Sequence, residues 1–151
     1  MADRYLDGRT SQNASKANSI NVPTSASQVL WGQVGLDVSS ANPSLPIRVQ
    51  FDGTISLKLS PAPVSAVNTV EVRVVRGTNA TDPIVYTVQK ILFAATSGYP
   101  DVLTFSGSDY NVPKGSGFVI YTAFVRNITG SSESDVVRVG PESFNVSAIG
   151  N

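Results

Sequence analysis

Apolar residues recur at every second position in short runs from residue 28 to the end of the chain. The run Ile47–Leu59 is the clearest, since its odd positions are apolar or glycine and its even positions are mostly polar. Glycine, proline, asparagine and aspartate cluster between the runs, where turns are expected. No stretch has helical spacing. The pattern predicts an all-β fold, a single jelly-roll β-sandwich of about eight strands over residues 28–151.

The Asp52-Gly53 pair inside this run allows two interpretations. A two-residue hairpin there would put the apolar sets before and after it out of register, because a slip of one residue moves every side chain to the other face. One long strand bent at Gly53, or a longer turn with a bulge, keeps all the odd positions on one face. We prefer the single long strand.

Residues 1–27 have a different composition from the rest of the chain. They read MADRYLDGRTSQNASKANSINVPTSAS and contain few apolar side chains. A segment of this kind buries too little surface to offset the entropy lost on ordering. We therefore expect an extended N-terminal arm over residues 1–27 that is ordered by a neighbouring subunit, with Ser19–Val22 adding a strand to that subunit's sheet edge.

The charge content limits the partners of this chain. Its 151 residues hold 11 Lys and Arg against 11 Asp and Glu, and no basic cluster occurs. Nucleic acid and anionic membranes are therefore not expected as partners. No apolar run approaches the roughly 18 residues of a membrane span, and the N-terminus has no classical signal peptide pattern.

Histidine and cysteine are both absent from the sequence. A Ser-His-Asp triad, a zinc-thiolate site and a thiol nucleophile are thereby excluded. The remaining acids fall mostly in loops and at strand ends. We expect no enzyme activity, no metal and no cofactor.

The strongest predicted strand is Phe118–Asn127, which is apolar on both faces. One face suits the core and the other suits a neighbouring subunit. Trp31 has three open roles: a subunit contact, a core residue or a carbohydrate platform. The candidate residues of the subunit interface are Ile20, Val22, Val29, Trp31, Phe118, Ile120 and Phe124.

Two segments resemble known spore proteins. Leu36-Asp37-Val38-Ser39-Ser40, followed by Asn42-Pro43 and Ile47–Phe51, resembles the opening of small spore-associated proteins from clostridia and bacilli, and Phe144–Ile149 resembles their closing strand. The layout is similar to endospore appendage pilins and the jelly-roll domains of exosporium proteins. The resemblance implies a subunit made without a signal peptide and assembled on a surface. Such pilins carry cysteines that cross-link subunits, and this chain has none.

The expected function is that of a structural subunit with itself as partner. It would assemble non-covalently into an extracellular or spore-surface fibre, a pilus-like appendage, by edge-strand pairing and docking of the arm. Two alternatives stay open: a closed trimer of the tumour-necrosis-factor-like type, including a phage capsid decoration, and a carbohydrate-binding module centred on Trp31 and loop tyrosines. A host-surface or glycan target is left open.

Overall fold

The computed structural model describes residues 2–129 and 135–151. Strands dominate this part of the chain, and a 3-10 turn at Ala94–Thr96 is its one helical segment. No helix within the described residues has both the length and the apolar character needed to cross a bilayer. The strands are β1 (Arg4–Ala14), β2 (Val22–Pro23), β3 (Val29–Asp37), β4 (Ile47–Leu59), β5 (Val67–Arg76), β6 (Ile84–Phe93), β7 (Pro100–Val112), β8 (Phe118–Thr129) and β9 (Val136–Gly150).

The strands form two antiparallel sheets that pack face to face. One sheet has the order β1-β9-β4-β7, with β2 also pairing with β9, and the other has the order β3-β8-β5-β6. The pairs β1–β9, β3–β8, β4–β7 and β5–β6 are those of one long antiparallel ribbon rolled up around its middle. This is the topology of a jelly roll, and it confirms the predicted fold class.

The core lies between the sheets and follows the alternation seen in the sequence. The odd positions of β4 are all buried, and β4 runs unbroken through Gly53, as the register argument predicts. Gly53 is needed there because an added Cβ would lie 2.5 Å from Cζ of Phe105. Opposite β4, the inward residues Val119, Tyr121 and Ala123 of β8 complete the core.

The N-terminal segment is part of the sandwich, contrary to our prediction. Arg4–Ala14 pairs with β9 along its length and is the first strand of the jelly roll. The chain then continues beside β9, where the backbone N–H of Ile20 donates to Val139 (3.2 Å) and that of Thr24 to Val136 (2.9 Å). The predicted boundary between residues 27 and 28 therefore separates no domains in this structure. Composition misled us because an edge strand is held largely by backbone hydrogen bonds, which leave no trace in side-chain polarity.

Two further strands are longer than their sequences indicate. β7 runs from Pro100 to Val112, although the apolar residues at its start end at Phe105, and β9 is one strand from Val136 to Gly150, although Gly140 and Pro141 interrupt its apolar pattern. The expected number of about eight main strands still holds. β1 is one of these strands, and we did not predict it as part of the sandwich.

Candidate subunit interface

The outer face of the β3-β8-β5-β6 sheet carries most of the candidate contact residues, and we call it the β8 face. On β8 itself, Phe118, Ile120 and Phe124 point outward at even positions, while the odd positions point into the core. Strand pairing fixes their neighbours, since residues directly opposite each other in a sheet point to the same side. The three β8 residues predicted for the interface therefore share one face, but Phe124 is only 6% exposed, so its side chain is covered within its own chain and offers little surface to a partner.

One end of the β8 face holds what we call the Phe118 patch, made of Phe118 and Ile120. Phe118 is 55% exposed. Its ring lies over Gly35 of β3, where an added Cβ would be 2.3 Å from Cζ of Phe118. Ile120 is directly opposite Gly35 and is half-buried. Glycine at position 35 thus lets the aromatic ring lie flat along the sheet.

The other end of the β8 face holds the Phe93 patch, made of Val67, Ile91 and Phe93. All three side chains are exposed, Phe93 at 51%. Val67 of β5 is directly opposite Phe93 of β6. We did not predict this patch from the sequence, although the run Ile91-Leu92-Phe93, apolar on both faces of a strand, is a signal that could have indicated it.

An ion cluster separates the two patches. The Glu71 carboxylate accepts from Arg73 and Arg126, each at 3.1 Å, and from the side-chain amide of Gln28 at 3.2 Å. Glu71 is largely buried under these partners. Through strand pairing, Ile91 is aligned with the last residue of β8, whereas Phe118 is the first residue of β8. The two patches are therefore separated by the length of β8, roughly 35 Å at about 3.3 Å per strand residue.

Trp31 is a core residue, so two of its three expected roles are corrected. It is 3% exposed. Its ring centroid lies 6.1 Å from those of both Phe105 and Phe144. The cause is a bulge between Leu30 and Gly32, which turns Trp31 inward and leaves Leu30 on the outer face. Trp31 is therefore neither a subunit contact nor an exposed platform for sugars.

The other predicted contact residues serve the chain's own sandwich. Ile20 and Val22 are half-buried alongside β9 of the same chain, where Val22 is opposite Arg138. Val29 is opposite Val125 and packs against the core. The structure therefore does not bring these three residues together with Phe118.

Side chains join β1 and β3, the edge strands of the two sheets on one side of the sandwich. The backbone N–H of Asp37 donates to Oδ2 of Asp7 (2.8 Å), and the backbone N–H of Gln33 donates to Oγ of Ser11 (3.3 Å). The first bond, more than any other cause, holds the pKa of Asp7 below its usual range. These contacts occupy backbone donors of β3 that an added strand would need.

The opposite edge is formed by β6 and β7, each of which ends its sheet. Lys90 and Asp101 bridge the two sheets there with a 3.1 Å salt bridge. Tyr86 stacks on Phe105 just inside, with centroids 5.7 Å apart. Within the described residues, β6 and β7 therefore each have one side that no other strand pairs with.

Comparison with known proteins assigns the fold and no family. No protein-family model matches the chain, and no curated protein matches it. Among solved structures, dimeric latent PorU from Porphyromonas gingivalis is similar over 97% of this chain, with 8% identity and a TM-score of 0.50. This chain covers only 13% of that protein's length.

Two other similar structures have lower TM-scores. Murine APRIL matches over 95% of this chain and 98% of its own, with 9% identity and a TM-score of 0.45. The CBM22-1–GH10 modules of xylanase 10B from Clostridium thermocellum, complexed with xylohexaose, match over 96% of this chain and 25% of theirs, with 12% identity and a TM-score of 0.44. The class that fold and topology define is a jelly-roll β-sandwich.

Proposed function

We propose that this protein is a structural subunit that associates non-covalently with copies of itself into a fibre on an extracellular or spore surface. The observation that carries the proposal is the pair of separate apolar patches at opposite ends of the β8 face. Exposed apolar clusters of this kind mark interaction sites. Two different patches far apart on one molecule suit a head-to-tail contact, which gives a filament when it does not close into a ring.

The energy of such a contact indicates what else it needs. Burying the exposed half of one large apolar side chain contributes about 1 kcal/mol. A contact that buries the Phe118 patch of one molecule against the Phe93 patch of the next covers five such residues and therefore supplies about 5 kcal/mol, which the roughly 4–15 kcal/mol cost of association cancels. The Phe93 patch lies on β6, an edge strand, so backbone hydrogen bonds along that edge would add to the contact.

The N-terminal strand keeps its own place in this proposal. β1 and β2 cover β9 of the same chain, so the assembly that we propose uses the β8 face and the β6 edge and leaves β1 paired. This replaces docking of an arm on the next subunit. The resemblance to spore-surface proteins and the low charge support the surface location, and the lack of cysteine excludes disulfide cross-links between subunits.

Negative-stain electron microscopy of purified protein tests the proposal. We expect filaments from the unaltered chain and none from Phe118→Thr or Phe93→Thr, because threonine keeps a strand-forming residue but removes the apolar ring. Val102→Thr is the matched control, since Val102 is equally exposed but lies on β7 of the other sheet. Filaments from either patch variant, or isolated monomers from the unaltered chain, would contradict the proposal. A closed particle of fixed mass would replace the fibre by a closed oligomer.

A further inference from the structure

We propose that the outer face of the β1-β9-β4-β7 sheet is a binding groove for a neutral, hydroxyl-rich polysaccharide chain. An open groove of about 790 Å³ crosses all four strands of this sheet. It lies on the opposite side of the sandwich from the β8 face. The inference is therefore independent of the proposed assembly, and a fibre built through the β8 face leaves the groove accessible.

The floor of the groove consists of short polar side chains. Strand pairing arranges the outward residues in two rows that run across the four strands. No outward side chain in these rows is apolar, and the only charged one is Asp52. Short side chains leave the floor recessed and place hydroxyl, amide and carboxylate groups along it. The rows are Gly8, Ser147, Gln50 and Ser108, and Thr10, Asn145, Asp52 and Ser106.

Hydrogen bonds between strands hold the centre of the floor in one arrangement. Oγ1 of Thr10 donates to Oδ1 of Asn145 at 2.9 Å. Nδ2 of Asn145 in turn donates to Oδ1 of Asp52 at 2.8 Å. The orientation of the Asn145 amide is thereby fixed. Polar groups fixed in advance bind a ligand hydroxyl with little loss of side-chain entropy.

An aromatic ring borders this polar floor. Tyr5 of β1 is 66% exposed. Its ring lies against Gly8, where an added Cβ would be 2.1 Å from the tyrosine oxygen and 3.0 Å from Cζ. Glycine at position 8 is thus what allows the ring to lie at the floor. An apolar ring face beside fixed polar groups matches a sugar, which has an apolar C–H face and a rim of hydroxyls.

The charge of the groove favours a neutral ligand. Arg9 at its rim is paired with Asp7 at 3.2 Å, so the groove presents no group of free cations for phosphate or sulfate. A protein partner would need an apolar centre to its contact area, which this floor lacks. A polysaccharide of neutral sugars can hydrogen-bond to the polar floor and stack on the ring of Tyr5, and it needs no cations in the groove.

Isothermal titration calorimetry of the whole chain with soluble xylose, glucose and N-acetylglucosamine hexasaccharides tests this inference, with a heparin fragment as the anionic comparison. We expect at least one neutral hexasaccharide to bind at millimolar concentration or below and heparin not to bind. Tyr5→Ala and Gly8→Ala should each weaken binding about tenfold, a change of about 1.4 kcal/mol. Tyr99→Ala is the matched control, since Tyr99 is 75% exposed and lies outside the groove.

Three results would overturn the inference. The first is the absence of binding to all three neutral hexasaccharides at millimolar concentration. The second is binding that is unchanged in Tyr5→Ala and in Asp52→Ala, because the ligand would then lie elsewhere. The third is tighter binding of heparin than of any neutral chain. Thermal melts of each variant identify loss of fold, and Asp52→Ala provides a second readout if Gly8→Ala is unstable.

Discussion

Arg138 and Glu142 form a salt bridge inside the sandwich, with Nε of Arg138 2.9 Å from Oε2 of Glu142 and both side chains almost inaccessible. They lie opposite Leu57 and Ile55 of β4, core residues, and therefore face the interior. The side-chain amide of Asn13 in β1 also donates to the Glu142 carboxylate. The N-terminal strand is thus tied to a buried charge pair as well as to the backbone of β9.

Removing the acid of this pair should cost much of the stability of the protein. Glu142→Gln leaves the Arg138 guanidinium buried without its counter-charge, and we expect the free energy of unfolding to fall by about 3 kcal/mol or more. Urea denaturation measures the loss. The matched control is Asp101→Asn, which removes the exposed pair with Lys90 and should cost less than about 1 kcal/mol. Equal small losses in both variants would mean that the buried pair does not hold β9.

A deletion tests whether the N-terminal segment is a strand of the sandwich. A chain that starts at residue 25 lacks β1 and β2 and leaves one side of β9 unpaired. We expect it to be unfolded or aggregated, and we expect a synthetic peptide of residues 2–24 to restore the far-ultraviolet circular dichroism of the native protein. Full stability of the shortened chain without peptide would show that the segment is a dispensable arm.

Trp31 fluorescence distinguishes a core residue from a subunit contact. Trp31 is the single tryptophan of the chain. Because it is buried within one subunit, its emission should be blue-shifted and independent of protein concentration, and should shift to the red only on unfolding. Trp31→Ala should lower the free energy of unfolding by about 3–5 kcal/mol. An emission maximum that changes on dilution of folded protein would place the indole at a subunit contact.

The Asp7 and Asp37 carboxylates predict the direction of acid sensitivity. The Asp37 backbone N–H lowers the pKa of Asp7, and the Ser39 hydroxyl lowers the pKa of Asp37, both from an ordinary value of 3.8. A carboxylate whose folded pKa is depressed stabilises the fold above its unfolded value, and this stability is lost as the pH falls through the folded pKa. Stability should therefore decrease below about pH 4. Asp7→Asn should show a shallower decrease in urea midpoint, and an unchanged pH profile would exclude the Asp7 contact as its source.

Sequence alone predicted those features that depend on the pleat of one strand. The faces of β4 and β8 follow from alternation, so the core side of β4 and the outward position of Phe118 were both predictable. The role of β1 was not, because its pairing with β9 joins the two ends of the chain through backbone groups. Alternation could not decide among the three roles of Trp31, because a bulge changed the face on which it lies. The Phe93 patch was not predicted, because it depends on Val67 and Phe93 being opposite each other in space.

Sedimentation velocity of mixed variants tests the head-to-tail contact most directly. Phe118→Thr keeps an intact Phe93 patch, and Phe93→Thr keeps an intact Phe118 patch. Each variant alone should therefore remain monomeric, and an equimolar mixture should form a dimer and nothing larger, because only one productive contact is possible between the two. A mixture that sediments as two unassociated monomers, or a single variant that polymerises alone, would contradict the account.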